Sequence, residues 1–185
     1  MIIATNVNKK FGRLQVLDNI SMSFNKGQTI ALIGPNGSGK TTFIKCLLGM
    51  VLPDSGFITI NNTNINHHWQ YRQHIGYMPQ MSRFPENMTI KQVIDMIKDI
   101  RAGSFQAMDE ELPEAFGLTA LYDKRMRTLS GGTRQKVSAC LAFLFNPDIL
   151  ILDEPTAGLD PVSSEILKEK IKTEKTNGKL ILITS

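Results

Sequence analysis

The sequence predicts an α/β fold built around a parallel sheet, and two observations lead to this prediction. Three apolar runs of strand length, at residues 29–33, 149–152 and 180–183, show no polar alternation. Such runs are typical of strands that are buried on both faces of a parallel sheet. Segments with apolar residues at helical spacing separate these runs, as the crossovers between parallel strands require.

Composition excludes several classes of protein. The chain has 185 residues, of which 42% are apolar, and this suffices for one domain with its own core. The longest uninterrupted apolar stretch, residues 139–145, is far shorter than the roughly 18 residues of a membrane-spanning helix. The first residues lack the pattern of a secretory signal. We therefore expect neither an integral membrane protein nor a secreted one.

The net charge and the cysteines indicate which partners and which cellular compartment to expect. The net charge of +4 is mild, and the sequence has no concentrated basic stripe, so we expect no nucleic-acid partner. Cys46 and Cys140 lie far apart in apolar surroundings. They are interpreted as buried thiols in a reducing compartment.

The first half of the sequence alternates strand-like runs with turns. Short strands are predicted at residues 2–4, 20–24, 57–60 and 75–78. Between them, residues 41–50 carry apolar side chains at helical spacing. This helix directly follows a glycine-rich segment, which itself follows the apolar run at 29–33.

The second half is predicted to be helical from residue 89 to about residue 144. Thr89 is placed to cap the first helix of this region. After the apolar run at 149–152, Asp160 caps a further helix with Pro161 at its first position, where a missing N–H costs nothing. Asn177 and Gly178 end that helix, and the run at 180–183 follows.

The glycine-rich segment fits the P-loop pattern G-x-x-x-x-G-K-[ST]. It consists of Gly34, Pro35, Asn36, Gly37, Ser38, Gly39, Lys40 and Thr41. Glycines let the backbone curl so that successive N–H groups point at phosphate oxygens, and the following helix adds its positive end. Lys40 would reach the β- and γ-phosphates, and the Thr41 hydroxyl would bind Mg²⁺. The pattern therefore predicts a site for a nucleoside triphosphate.

Two acidic residues follow a buried strand, as the chemistry of such a site requires. Asp153 comes directly after the apolar run at 149–152 and would supply the second protein ligand of Mg²⁺. Glu154 is adjacent, and a carboxylate beyond the metal ligand can act as a general base toward water. We predict catalytic roles for Glu154 and Lys40.

Together with further motifs, these residues resemble the nucleotide-binding subunits of ATP-binding-cassette (ABC) transporters of the single-cassette type. The distinguishing element is Leu129-Ser130-Gly131-Gly132, which looks like the signature motif of that family. The other motifs occur in the family's order over almost the whole chain. They are Phe11 as the A-loop, the P-loop, Gln80 as the Q-loop, Asp153 and Glu154 as the end of Walker B, and residues 157–160, which include Gly158 and Asp160, as the D-loop.

The resemblance implies a role for each motif. The family binds two ATP molecules between two subunits arranged head to tail, with the P-loop of one subunit facing the signature of the other. Phe11 would stack on adenine, Thr42 would contact the α-phosphate, and Gln80 would contact Mg²⁺ or the attacking water. The γ-phosphate would also be held by Ser130, Gly131 and Gly132. Asp160 would cross the dimer interface.

The resemblance also implies a fold and partners. The fold would be that of a P-loop NTPase with a RecA-like parallel core sheet, an antiparallel β subdomain and an inserted α-helical subdomain. Residues 1–79 would form the β subdomain and the P-loop part of the core, residues 80–145 the helical subdomain, and residues 146–185 the rest of the core. A separate transmembrane permease and a second cassette, identical or paralogous, would be its partners. The chain would then be cytoplasmic and peripheral on the cytoplasmic face of the membrane.

Two departures from the family pattern stand out. Thr133 occupies the position where the family usually has Gln, which leaves its effect on the rate open. The family also has a switch histidine shortly after the strand that corresponds to residues 180–183. In this sequence Thr184 and Ser185 follow that run, and the histidine would be the next residue. We therefore expect a C-terminally truncated cassette that leaves the run at 180–183 partly uncovered and that hydrolyses ATP weakly or not at all.

Alternative functions remain open at this point. One is an ABC-type ATPase that acts on the ribosome or on nucleic acid, although the chain carries one cassette and no coiled-coil insertion. Another is a regulatory module that binds nucleotide without turnover, against which Asp153 and Glu154 argue. The sequence does not identify the transported substrate. One hypothesis is that the chain belongs to an exporter of the copper-handling type.

Overall fold

The computed structural model describes residues 1–66, 68–102 and 108–185. The strands are β1 (Ile2–Phe11), β2 (Leu14–Phe24), β3 (Thr29–Leu32), β4 (Ser55–Ile60), β5 (Thr63–Asn64), β6 (Ile75–Met78), β7 (Ile149–Asp153) and β8 (Leu180–Thr184). The α-helices are α1 (Lys40–Leu47), α2 (Ile90–Ile100), α3 (Glu111–Ala115), α4 (Gly131–Phe143) and α5 (Pro161–Thr176). Short 3₁₀ helices lie at Gln70–His74, Thr119–Leu121 and Met126–Thr128.

The strands form two sheets of different kind. One is antiparallel, with strand order β2-β1-β4-β5, and the other is parallel, with strand order β3-β8-β7-β6. The predicted parallel core sheet is thus confirmed. Because all strands of this sheet run in one direction, their carboxyl ends lie at one edge. At this edge, Asp153 of β7 pairs with Thr184 of β8.

The burial of β3 and β8 differs from the expectation for two of the three apolar runs. The run at 29–33 was expected to be buried on both faces, but along β3 exposed and half-buried residues alternate, and Ile33 is 80% exposed. The run at 180–183 is buried in β8, where only Ile183 is more than marginally exposed; this agrees with its interpretation as a buried strand and contradicts the expectation that truncation leaves it partly uncovered. The reason is the strand order, because β8 lies between β3 and β7 whereas β3 lies at the edge of the described sheet.

The parallel sheet separates two apolar clusters. Alternate residues of a strand point to opposite faces, so Ile149 and Ile151 of β7 belong to one cluster, while Leu150 and Leu152 belong to the other. The first cluster also contains α1 and the antiparallel sheet. The second contains residues of α2, α3, α4 and α5. The P-loop helix is therefore anchored on one face of the sheet and the signature helix on the other.

Local sequence signals place the helix ends where they were predicted. Thr89 caps α2 in a capping box, in which its side chain accepts from the Gln92 N–H and the Gln92 side chain accepts from the Thr89 N–H. Asp160 caps α5, with Pro161 at its first position. The predicted helical region includes residues 103–107, which lie outside the described residues. Within the described ranges, no helix has the length and apolar character needed to cross a membrane.

Candidate functional site

The P-loop connects β3 to α1 and has a backbone that only glycine accommodates at one point. Gly39 has a φ of +93°, and a Cβ atom there would lie 2.7 Å from the carbonyl oxygen of Val16. The Lys40 ammonium donates to the carbonyl of Gly34 and, at 3.3 Å, to that of Pro35. The lysine charge is therefore held across the loop, beside the N-terminal end of α1, where anions are favoured.

At the carboxyl edge of the parallel sheet, the end of β7 meets the start of α1. The Thr41 hydroxyl lies 3.4 Å from Oδ2 of Asp153, and Asp153 is only 3% exposed. A hydroxyl oxygen and a carboxylate oxygen are ligands of the type that Mg²⁺ prefers, so Thr41 and Asp153 fit the predicted metal site. Burial raises the pKa of the neighbouring Tyr77 to about 12, and the negative charge of Asp153 adds to this increase.

Sequence reasoning missed Thr184, which contacts both acidic residues. Its hydroxyl donates to Oδ1 of Asp153 and accepts from the Glu154 backbone N–H at 3.0 Å. Thr184 is 1% exposed. The available signal was the polar residue at the end of an apolar run, but the sequence does not reveal which residue of β7 lies opposite it.

Glu154 and Gln80 are brought together although they are 74 positions apart. The Gln80 side-chain amide donates to Oε2 of Glu154 at 2.9 Å. Glu154 itself has a φ of +48°, a left-handed conformation that is uncommon for a residue with a side chain. The predicted Q-loop and Walker B residues therefore share one edge of the sheet with Thr41.

The signature and the D-loop form a second group of contacts. Ser130 caps α4, and its Oγ accepts from the Thr133 N–H at 3.1 Å and lies 2.9 Å from the Thr133 hydroxyl. A Cβ atom on Gly132 would lie 2.8 Å from the Gly158 carbonyl oxygen. Ser130 and Gly131 are exposed.

Asp160 has partners within this second group. Its carboxylate accepts from the N–H and the hydroxyl of Ser163 at 2.9 and 2.7 Å, and it lies 2.9 Å from the Lys136 ammonium. The backbone hydrogen bond from Ser163, followed by the Ser163 hydroxyl and Lys136, lowers the pKa of Asp160 well below its ordinary value. The carboxylate is therefore ionised over the whole physiological pH range.

Other predicted site residues are not joined to the P-loop by contacts of this kind. Phe11 is exposed, and the Lys9 ammonium lies 5.5 Å from its ring centroid. Thr42 is half-buried in α1. In the described part of the chain, no hydrogen bond or ion pair connects residues 130–132 to residues 34–41. A cavity of about 420 Å³ adjoins the P-loop and is lined by Lys40 and by apolar residues, among them Leu17, Ile20 and Phe43.

Comparisons with known proteins agree with this geometry. Residues 17–157 match the family model described as ABC transporter. The chain is 33% identical over 183 residues to the Nod factor export ATP-binding protein I of Ralstonia nicotianae, covering 97% of this chain and 57% of that protein. It is 34% identical over 193 residues to the arginine transport ATP-binding protein ArtM of Bacillus subtilis, covering 100% of this chain and 80% of that protein.

A solved structure of an ABC transporter subunit has the same fold as this chain. The ATP-binding subunit of an ABC transporter superposes with a TM-score of 0.89 at 27% identity, covering 100% of this chain and 78% of that one. Three Nod factor export relatives are longer, and the chain spans 57% to 60% of their length. With the matched family model and the shared P-loop NTPase fold, these similarities show that the chain belongs to the ABC transporter family, as an ATP-binding cassette.

Proposed function

We propose that this chain binds and hydrolyses ATP and thereby powers an ABC membrane transporter. One observation carries the proposal. The fold brings Thr41, Asp153, Glu154 and Gln80 together at the carboxyl edge of the parallel sheet, next to the P-loop. This edge is where open parallel sheets bind ligands, and the four side chains supply a metal site and a base beside a phosphate loop.

Each residue has a task that follows from its chemistry. The P-loop N–H groups and Lys40 hold the phosphates, and Thr41 and Asp153 would hold Mg²⁺. When bound, this ion neutralises the charge that develops on the phosphate oxygens. Glu154 accepts the proton of the attacking water. The hydrogen bond from Gln80 fixes the orientation of the Glu154 carboxylate.

A second cassette would complete each site. Ser130 and Gly131 are exposed at the N-terminal end of α4, which is suited to an anion, and within the described residues no hydrogen bond or ion pair joins them to the P-loop of their own chain. In a head-to-tail dimer they would meet the γ-phosphate held by the partner's P-loop. Phe11, Thr42, Gly132 and Asp160 keep the roles that the family resemblance implies. The second cassette is either an identical chain or a paralogue.

The membrane partner is a separate permease, and the cassette would lie on the cytoplasmic face of the membrane. This is supported by the names of the relatives, which are ATP-binding proteins of transport systems. Those names differ in substrate, since they include Nod factor export, arginine transport and lipopolysaccharide export. They therefore assign no substrate to this chain, and they give no support to action on the ribosome or on nucleic acid.

The Lys40→Ala variant tests the proposal. We expect the wild-type chain to bind ATP with Mg²⁺, as measured by calorimetry, and to release phosphate from it slowly, and we expect the variant to lose both the binding and the release. Lys45→Ala is the matched control, because Lys45 is exposed in the last turn of the same helix. Equal binding and turnover in all three proteins would contradict the assignment of the P-loop.

A further inference from the structure

We infer that Thr184 is a positioning residue of the site, and that its hydroxyl sets both the metal-binding carboxylate of Asp153 and the backbone of Glu154. This inference rests on the proposed function of the site. Nothing in the motif pattern assigns a role to Thr184, and the geometry alone points to it. The hydroxyl lies between two consecutive residues that perform different parts of the reaction.

The hydrogen bonds of Thr184 have one consistent arrangement of donors and acceptors. An ionised carboxylate only accepts, and a backbone N–H only donates. The hydroxyl proton must therefore go to Oδ1 of Asp153, and a lone pair of the same oxygen accepts from the Glu154 N–H. A hydroxyl is the smallest group that does both. Valine has nearly the same shape but does neither.

The position of the hydroxyl is fixed by the sheet. Asp153 and Thr184 are partners in the parallel register of β7 and β8, and Thr184 is buried. Its branched Cβ restricts the side chain to few rotamers. The hydroxyl is therefore held by a strand and not by a loop, which gives the precision that a metal ligand requires.

The two oxygens of Asp153 have different partners. Oδ1 accepts from Thr184, whereas Oδ2 is the oxygen near the Thr41 hydroxyl, at 3.4 Å. Thr184 thus anchors the carboxylate on the side away from Thr41 and directs Oδ2 toward the predicted Mg²⁺ position. Residues that orient a ligand in this way typically change metal affinity or activity by about 10- to 100-fold when they are mutated.

Glu154 depends on the same hydroxyl in a different manner. Its φ of +48° is a strained backbone conformation that persists only where the surroundings hold it. The bond from its N–H to Thr184 ties the backbone to β8, and the bond from Gln80 holds the carboxylate. Loss of the hydroxyl would release the backbone of Glu154 and so displace the carboxylate.

The test compares Thr184→Val with Thr184→Ser, which keeps the hydroxyl. We expect Thr184→Val to lower kcat for ATP at least about tenfold, to leave KM for ATP within about threefold, and to raise the Mg²⁺ concentration for half-maximal activity. Thr184→Ser should restore kcat to within about threefold of the wild type. Thr29→Val is the matched control, since Thr29 lies at the opposite end of the same sheet, on β3.

Outcomes for the inference and for the proposed function are distinguishable. Inactivity of the wild-type chain would overturn the proposed hydrolysis, and the inference would then be decided by Mg²⁺-dependent ATP binding measured by calorimetry. The inference is supported if Mg²⁺ strengthens ATP binding less in Thr184→Val than in the wild type and as much in Thr184→Ser as in the wild type. It is overturned if Mg²⁺ strengthens ATP binding equally in all three proteins. If Thr184→Val does not fold, as judged by circular dichroism, Thr184→Cys replaces it, because cysteine is of similar size and is only a weak donor.

Discussion

Glu154 and its neighbours show how single residues set the chemistry at the edge of the sheet. The left-handed backbone of Glu154 turns the chain directly after β7, so that Asp153 and Glu154 end with different partners. Asp153 is bonded to Thr184 and lies near Thr41, whereas the carboxylate of Glu154 is bonded to Gln80. The two adjacent acids are therefore placed for the different roles proposed for them, Asp153 as metal ligand and Glu154 as base.

Replacement of Glu154 by glutamine tests the role of its carboxylate. Glutamine keeps the shape and the ability to contact Gln80 but cannot take a proton from water. We expect phosphate release to fall by about 10²- to 10⁴-fold while ATP binding persists. Glu165→Gln is the control, because Glu165 is exposed on α5 and forms its ion pair, among the described residues, with the nearby Lys168. Unchanged turnover in Glu154→Gln would exclude Glu154 as the base.

Adjacent glycines of the signature differ in the space around them, and this difference predicts different stabilities. A Cβ atom on Gly132 would approach the Gly158 carbonyl to 2.8 Å, whereas one on Gly131 would meet no atom within 4 Å. We expect Gly132→Ala to lower the free energy of unfolding by about 1–3 kcal/mol and Gly131→Ala to cost nothing, since alanine favours a helix. Urea denaturation measures both, and equal losses would contradict the close approach.

At the scale of elements, helix α2 is defined by its first turn. The capping box of Thr89 and Gln92 satisfies two N–H groups that the helix itself leaves unpaired. We expect Thr89→Ala to lower the free energy of unfolding by about 1 kcal/mol. Thr89→Ser should retain most of the stabilisation that the cap contributes. Thermal or chemical denaturation followed by circular dichroism distinguishes the two variants. Similar losses for serine and alanine would argue against capping.

Helix α5 is joined to the segment that leads into α3 by a buried ionic cluster. The Lys170 ammonium lies 2.5, 2.7 and 3.1 Å from carboxylate oxygens of Asp109, Glu111 and Glu174. The side chains of Lys170 and Glu174 are 7% and 2% exposed. Burial by itself lowers the pKa of Lys170, but the three carboxylates outweigh it and raise the pKa above its ordinary value. The lysine is therefore charged in the folded protein at all ordinary pH values.

Removal of the Lys170 charge leaves the mostly buried Asp109 without this partner, whereas Glu174 keeps its ion pair with Lys179 and Glu111 is 70% exposed. We expect Lys170→Met to lower the free energy of unfolding by about 3–5 kcal/mol. The exposed Lys168 on the same helix is the control, and Lys168→Met should cost less than about 1 kcal/mol. Because the pKa of Lys170 is higher in the folded state, its contribution is complete below the ordinary lysine pKa of 10.5 and is lost as the pH rises through the folded-state value. A stability difference between wild type and variant that shrinks already between pH 7 and 9 would contradict this.

At the scale of the whole molecule, the predicted ATP-contacting residues occupy two groups of contacts. The P-loop, Asp153, Glu154 and Gln80 form one group, and the signature forms the other with Gly158 of the D-loop. The parallel sheet explains this division, because α1 packs on one of its faces and α4 on the other. Each chain thus carries the two unlike halves that a head-to-tail dimer would combine.

Association that depends on ATP is the corresponding prediction. We expect Glu154→Gln with ATP and Mg²⁺ to have twice the monomer mass by light scattering, because bound ATP that is not hydrolysed would hold two chains together. The same variant with ADP is the control and should remain a monomer. A monomer mass with saturating ATP would count against a dimer of identical chains and leave a paralogous partner as the second cassette.

The sequence predicted the helix caps and the strand end at the candidate site better than it predicted the burial of the surrounding strands. Contiguous motifs carry the P-loop, the two acids at the end of β7 and directly after it, and the caps of α2 and α5, and the structure has these segments where they were expected. Local patterns suffice here because turn, cap and phosphate loop depend on neighbouring residues. The predicted burial of β3 was wrong for the opposite reason, since apolar composition does not reveal the order of strands. For β8 the apolar run correctly indicated a buried strand, and only the expectation that truncation leaves it partly uncovered was wrong.

The sequence by itself thus determined the family, the fold class and the set of candidate ligands. Only the tertiary structure decided that Thr184 lies opposite Asp153, 31 positions away, and that the Gly158 carbonyl lies against Gly132. It also decided that β3 lies at the edge of the described sheet. These features depend on register and on packing between distant segments. Pairings of this kind are selected by the free energy of the whole fold and leave no local pattern in the chain.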